Sequence, residues 1–436
     1  MTEPRRVLFV SGSGASATLR YRVRLPEEAL RSRGALTAAV HFTDRRAAAL
    51  AERADVVVLY RCPGGQDMVE LIERLRGGPT PPLVTYDVDD LVFRTEHLAG
   101  MDFLDSLTDQ QQETFRSDVA LRAQLVPYAD LVTGSTAQIL DELALLTDAP
   151  SALLPNGIGL VGAGLADEAR AVPRAHPGFR LGYFSGSATH DADWASIEDG
   201  VVEFLRAHDE AELWLVGKVK ATAALAAVSA QVRTLTLVEW DELPALLRSV
   251  DVTLAPLARN AFTDAKSGIK WLEAALVETP TIATPTPPFV AAIEAGTTGL
   301  LASTPGDWFD ALTLLAADRP ARVAMGVAAR EAALAGYGPD VQADRLVAAF
   351  GGGAPVVPRT YRGAEMPRRW QPVPVLLDPY PFPAALRSLR LRPSGRDVPA
   401  SLAVEAVAAG AKVGRKISRG VKQRAYRTAA KVLGRR

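Results

Sequence analysis

The chain has one cysteine, Cys62, in 436 residues. A lone thiol excludes an intrachain disulfide framework and suits a reducing compartment. Long apolar runs are also missing. After Met1–Arg6 the first apolar run is only Val7–Val10. It is too short for the core of a signal peptide, and no stretch approaches the roughly 20 apolar residues of a membrane span. Both absences lead us to expect a cytoplasmic protein. Acidic residues are absent from the end of the chain: Lys412 to Arg436 holds ten Lys or Arg and no Asp or Glu. The whole chain sums to −1, so the remainder carries −11. An acidic body is joined to a strongly basic tail.

What is present is globular: 48% hydrophobic and 23% charged residues, in a length that suits two ordinary domains and extras. Arg6–Val10 reads as a buried strand, followed by a loop with Gly12 and Gly14 and a helix from about Thr18 to Arg33, kinked at Pro26. Strand, glycine loop and helix form a phosphate-cradling arrangement. Arg20, Arg22 and Arg24 follow the loop and are candidates to meet an anion. Strands at 38–42, 55–60 and 83–86 alternate with helices at 45–53 and 66–76, which argues for a parallel sheet covered by helices. The 83–86 strand ends in Asp87-Val88-Asp89-Asp90, where ligands sit in such sheets. His97 follows closely. A long polar helix (109–126), a strand and turn (129–136), a helix to Leu146 and the turn Pro155-Asn156-Gly157 complete a first unit of residues 1–158.

After a linker at 159–177 the pattern restarts over 178–350. Phe179–Phe184 reads as a strand, and its loop carries Gly186 and His190. Strands follow at 212–217, 234–238 and 252–256. Lys218 lies past the first of these and Trp240 past the second, where a base could stack. The most informative stretch is DAKSGIKWLEAALVETPTIAT, Asp264 to Thr284. Ile269, Leu272, Ala275 and Leu276 make an apolar helical stripe, and Pro280 stops the helix before a β-prone run. Lys266, Lys270 and Glu273 fall on a narrow polar strip of the same helix, with Ser267 beside it. Two lysines four apart repel, so the strip suits a bound anion near outward-pointing backbone N–H groups. Glu273 could then accept from a diol such as a ribose. The alternative is a solvated face with a Lys270–Glu273 pair.

This stretch resembles the donor-site helix of GT-B glycosyltransferases, in particular the large retaining family that uses nucleotide sugars (family 4-like, glycosyl transferases group 1). Glu273-Ala274-Ala275 and the exit Thr279-Pro280 match its second half, while the first glutamate of the motif would fall at Ala265. The segment from Asp130 to Ser135, the Pro155-Asn156-Gly157 turn and Thr298-Gly299-Leu300 fit the same pattern, over about residues 6–350. The resemblance implies an α/β fold of two Rossmann-like domains facing across a cleft. It also implies sugar transfer from a nucleotide diphosphate sugar, with retention and without a required metal. On this reading the donor-binding candidates are Gly12, Gly14, Gly186, His190, Lys218, Trp240, Lys266, Ser267, Lys270 and Glu273, with Asp264 or Lys266 as substitutes for the absent glutamate. The catalytic candidates, facing the sugar or acceptor, are Asp89, Asp90 and His97. The Asp-x-Asp-Asp cluster also resembles a GT-A metal motif, but the second α/β half favours the metal-free reading.

Residues 351–383 are Pro- and Gly-rich and read as a linker. In the tail, 384–436, Val413, Ile417, Val421, Ala425, Thr428 and Val432 form an apolar stripe inside the basic field. That is the form of an amphipathic helix at an anionic membrane surface. The expected partners are therefore a nucleotide-sugar donor, a glycan or lipid-linked acceptor of the cell envelope, and the inner membrane face, with no nucleic acid. The alternatives are a non-catalytic scaffold on the same fold and a nucleotide-sugar epimerase.

Overall fold

The structure is a computed structural model that describes residues 6–13, 17–101, 104–105, 107–186, 191–217, 219 and 222–351. Gly14, His190, Lys218, nearly all of the 351–383 linker and the 384–436 tail lie outside the described residues. The first sheet comprises β1 (Arg6–Ser11), β2 (Leu36–His41), β3 (Val56–Tyr60), β4 (Leu83–Val88), β5 (Leu131–Gly134) and β6 (Ser151–Leu153). All its pairings are parallel, in the order β2-β1-β3-β4-β5-β6. The second comprises β7 (Phe179–Ser185), β8 (Ala211–Gly217), β9 (Val232–Leu235), β10 (Val252–Ala255), β11 (Thr281–Ala283) and β12 (Leu300–Leu301). It too is wholly parallel, in the order β12-β11-β10-β7-β8-β9. Helices cover both faces, so the central strands are continuous apolar runs: all five residues of β3, Val-Val-Val-Leu-Tyr, are buried. Each sheet has a place where the strand order reverses, between β1 and β3 and between β7 and β10. Ligands of such folds bind outside the carboxyl ends of the strands at these points. The protein is thus an α/β molecule of two Rossmann-like domains.

Three local features position the cleft. The helix after β1 is α-helical over Ala17–Leu19 and Leu25–Ser32 but π-helical over Arg20–Arg24. Pro26 lacks an N–H, and its ring crowds the carbonyl four residues back, so a wider turn before it relieves the clash that the sequence suggested would be a kink. The expected linker contains a helix, Leu160–Arg170. Its first N–H groups are capped by the buried Glu28 carboxylate of the first domain, which accepts from Leu160 N and from Val161 N at 3.3 Å. Finally, the helix Pro339–Gly351, expected in the second domain, packs on the first. Ala343, Leu346 and Phe350 share one helical face and join Val7, Phe9 and Leu30 in a buried cluster. Arg33 reaches Asp344 at 2.6 Å and Asp340 at 3.3 Å.

Candidate functional site

At the switch point of the first sheet, Gly12 N donates to Tyr60 O at 2.8 Å. A Cβ on Gly12 would lie 2.1 Å from the Arg61 carbonyl oxygen, so glycine is required here by close backbone approach. Arg61 itself adopts φ 49°, a left-handed conformation uncommon for a side-chain-bearing residue. Its guanidinium spans the acidic cluster. Nε donates to Asp89 at 2.6 Å and Nη2 donates to Asp90. Tyr60 also donates to Asp89, at 3.1 Å. Asp89 is 4% exposed. Burial raises the pKa of Asp90, and Arg61 opposes the shift.

Asp87, one turn of the pleat earlier, is 2% exposed and bound by Arg22, whose Nε donates at 3.0 Å and whose Nη2 donates to the other oxygen. Thr133 adds a third donor at 2.6 Å. Arg22 continues the chain of contacts to Leu154 O at 2.5 Å and Asn156 Oδ1 at 3.2 Å, and Asn156 Nδ2 donates to Ser267 Oγ at 2.9 Å. One hydrogen-bonded line therefore runs from β4, through the first helix and the Pro-Asn-Gly turn, into the second domain.

At the switch point of the second sheet lies Lys270, on the helix Ile269–Leu276. Its side chain is half-buried and its Nζ is out of contact with solvent, 5.1 Å from the Tyr183 ring centroid, with no hydrogen-bond partner among the described residues. Burial pulls its pKa down to about 8, with Asp193 opposing the shift and Lys266 adding to it. Asp193 is itself buried and accepts from Ala258 N at 2.8 Å, tying the helix after the β7 loop to the loop after β10. The 269–276 helix begins at Gly268 with no side-chain cap, and among the described residues no side chain claims the N–H groups at this end. One turn further on, Glu273 accepts from the Tyr21 hydroxyl and has Arg20 Nη1 at 3.8 Å. Burial raises the Glu273 pKa, partly offset by Arg20 and Tyr21. A pocket of about 150 Å³ lies by Gly268 and Leu272 of this helix, lined also by Thr136, Asn156, Pro287 and Tyr337. Neither Lys270 nor Glu273 lines it.

The expected residues meet different fates. Lys270 and Glu273 lie on the helix Ile269–Leu276, whereas Lys266, expected on the same helix, and Ser267 precede its Gly268 cap, because the chain turns after Asp264 before the helix starts. Lys266 adds to the positive field on Asp90 and has its Nζ 5.2 Å from the Phe262 ring. Gly186 is exposed at the end of β7, with none of the described residues within 4 Å of where a Cβ would stand. Gly12 is a packing glycine. Asp89 is an inward-facing partner of Arg61 and Tyr60 and is withdrawn from the cleft, whereas Asp90 keeps a quarter of its side chain exposed. His97, in the turn Thr95–Gly100, has its Nε2 3.1 Å from Glu142 and pairs there instead of with the aspartates. The Trp240 ring, expected to be open to a base, lies under the Arg20 guanidinium at 4.2 Å and packs on Val161 and Leu165. Arg22 and Arg24 are taken by Asp87 and Glu27. Asp264 pairs with Arg259 at 2.6 Å. Ala265, in the place of the first glutamate, is 1% exposed and packed into the first domain's core, and its carbonyl accepts from Thr136 at 2.9 Å. Tyr21, Arg61 and Asp193 were not singled out from the sequence. For Arg22 a signal was available, because Arg20 and Arg24 are four apart on one face and Arg22 points the other way.

Residues 195–318 match the family model of glycosyl transferases group 1, a span that contains the 269–276 helix. Among solved structures, sucrose-phosphate synthase from Thermosynechococcus elongatus is similar at TM-score 0.53 and 15% identity, over 78% of this chain and 97% of that one. Anabaena Alr3699/HepE in complex with UDP is similar at TM-score 0.53 and 13% identity, over 79% and 99%. The same protein with UDP-glucose gives TM-score 0.52, 13% identity and the same coverage. At these identities the likeness establishes the fold. No curated protein sequence matches the chain. Two parallel six-stranded domains about one cleft give this chain the GT-B fold, with the match to glycosyl transferases group 1 confined to residues 195–318 of the second domain.

Proposed function

We propose that the protein transfers a sugar from a nucleotide diphosphate sugar to a glycan or lipid-linked acceptor, with retention of configuration and without a required metal, in cell-envelope polysaccharide synthesis. The observation that carries the reading is Lys270: an ammonium with no hydrogen-bond partner among the described residues, at the second switch point and beside an uncapped helix start. A leaving diphosphate needs positive charge and N–H donors placed in advance. Lys270 and Lys266 supply the charge, and Lys218, next in sequence after β8 and outside the described residues, is the further candidate to add to it. Glu273 accepts from the ribose, Gly186 leaves room beside the phosphates, and Asp90 faces the acceptor side. The Alr3699/HepE structures, which hold UDP and UDP-glucose, favour a nucleotide sugar as the donor class.

Among the described residues no helix is long and apolar enough to cross a membrane. The ten basic residues of the tail supply membrane attraction of about 1 kcal/mol each near an anionic surface. The proposed site of action is therefore the inner face of the membrane. A non-catalytic scaffold is the second reading, favoured by the buried Ala265 where the family motif carries a glutamate.

The test is thermal melting with UDP, GDP, dTDP and ADP sugars, on wild type, Glu273→Ala and Lys266→Ala. A binder stabilises by mass action. One base should raise the melting temperature of the wild type alone. No shift with any donor at millimolar concentration would leave the scaffold reading.

A further inference from the structure

We propose that Tyr21 and Arg20 form a latch that holds the domain cleft shut over Glu273 and that a nucleotide must displace. The proposal rests on the reading of Glu273 as the ribose contact, takes the expected base-stacking face of Trp240 as the surface that Arg20 now covers, and adds a conformational gate to that site. Two first-domain residues, adjacent in sequence, occupy two positions of the second domain at once. The Tyr21 hydroxyl donates to Glu273 Oε1, which is what a ribose hydroxyl would do. The flat Arg20 guanidinium lies 4.2 Å from the Trp240 ring centroid, which is where a base would stack, and its Nη1 is 3.8 Å from the same Glu273 oxygen. Tyr21 is half-buried, and burial and the Glu273 charge both push its pKa up, so it stays a hydroxyl donor throughout the ordinary pH range.

The backbone that presents this pair is the π-helical turn Arg20–Arg24. π-turns are rare and concentrate at functional sites. This one aims Arg22 inward to the buried Asp87 and Tyr21 outward to Glu273. The first helix is thereby anchored in its own domain by Arg22, and Tyr21 reports the position of that domain directly to the nucleotide face. A ligand that needs the Glu273 carboxylate and the Trp240 face competes with the closed arrangement. Its apparent affinity is therefore reduced by the fraction of molecules that are closed.

The test uses the full chain as wild type, Tyr21→Phe and Arg20→Gln. Tyr21→Phe keeps the ring and removes only the donated hydrogen bond, and Arg20→Gln guards against an effect peculiar to the ring. Two quantities are read: the interdomain distance distribution, from a pair of labels with one on each domain and no ligand present, and the affinity for UDP, GDP, dTDP and ADP by calorimetry. Each variant should shift the distribution to longer distances and bind the preferred nucleotide about tenfold more tightly, the weight of a hydrogen bond to a carboxylate. A nucleotide that binds wild type and both variants equally, with unchanged distances, overturns the latch and leaves the nucleotide site standing. Absence of binding by any nucleotide to all three proteins overturns both.

Discussion

Replacing Lys270 by methionine should make the protein more stable and unable to recognise its donor. The structure holds the Lys270 ammonium away from water without a hydrogen-bond partner among the described residues, and its pKa falls from the ordinary 10.5 to about 8. At ~1.4 kcal/mol per pH unit, keeping that group charged costs the folded state about 3 kcal/mol at pH 7. Methionine has nearly the same length and no charge, so the variant should regain about that amount. The pH dependence gives a second check. Below pH 8 both folded and unfolded wild type hold the proton, and the full cost is present. Between about 8 and 10.5 the unfolded chain holds more protons than the folded one, so wild-type stability rises with pH relative to the variant, by up to ~1.4 kcal/mol per unit. The gap between the two proteins should therefore close as pH rises from 7 to 10. Urea unfolding monitored across that range measures it, with the midpoint shifted and the slope unchanged. A variant less stable than wild type at pH 7, or a gap indifferent to pH, would show that Asp193 or a neighbour already compensates the charge. The argument that Lys270 is kept for an anion would then fail.

Two further outcomes follow from packing alone. Arg22→Met leaves Asp87 buried with Thr133 as its remaining side-chain donor, and removing one partner of a buried pair should cost about 3–5 kcal/mol in urea unfolding. Phe350→Ala removes an aromatic ring from the cluster that fixes the Pro339–Gly351 helix to the first domain. It should cost about 3–5 kcal/mol and expose residues 339–351 to proteolysis, while a variant as stable as wild type would deny that this helix belongs to the first domain's core.

The elements were legible from the sequence because their signals are local. The β-branched run at Val56–Tyr60 reads as a strand, and the helix Gln66–Arg76 shows its apolar stripe in eleven residues and its glycine exit at Gly77. The repetition of strand, glycine loop and helix at Phe179 announced the second domain for the same reason. The helical period of residues 264–284 placed Lys266, Lys270 and Glu273 on one polar strip; the structure starts the helix at Ile269, which keeps Lys270 and Glu273 on it and leaves Lys266 in the turn before it. What could not be read is long-range. The Tyr21–Glu273 bond joins residues 252 apart, and no periodicity reports such a partner. The return of the Pro339–Gly351 helix to the first domain is the same kind of fact, since its apolar face says that it is buried but not against which sheet. The carboxylates at the end of β4 were legible as a cluster at a ligand-binding edge. Their pairing with Arg61 and Arg22 depends on a left-handed residue and a π-turn that carry no simple sequence mark.

The most direct measurement of the central claim is transfer of labelled sugar. The full chain would be incubated with UDP-, GDP-, dTDP- or ADP-linked sugars and membranes of the source organism, beside Glu273→Ala and Lys270→Met. The account predicts a labelled glycan or lipid product from one nucleotide class, with stoichiometric release of its nucleoside diphosphate, and loss of both in the two variants. No product and no nucleoside diphosphate from any donor, or a product formed equally by the variants, would contradict it.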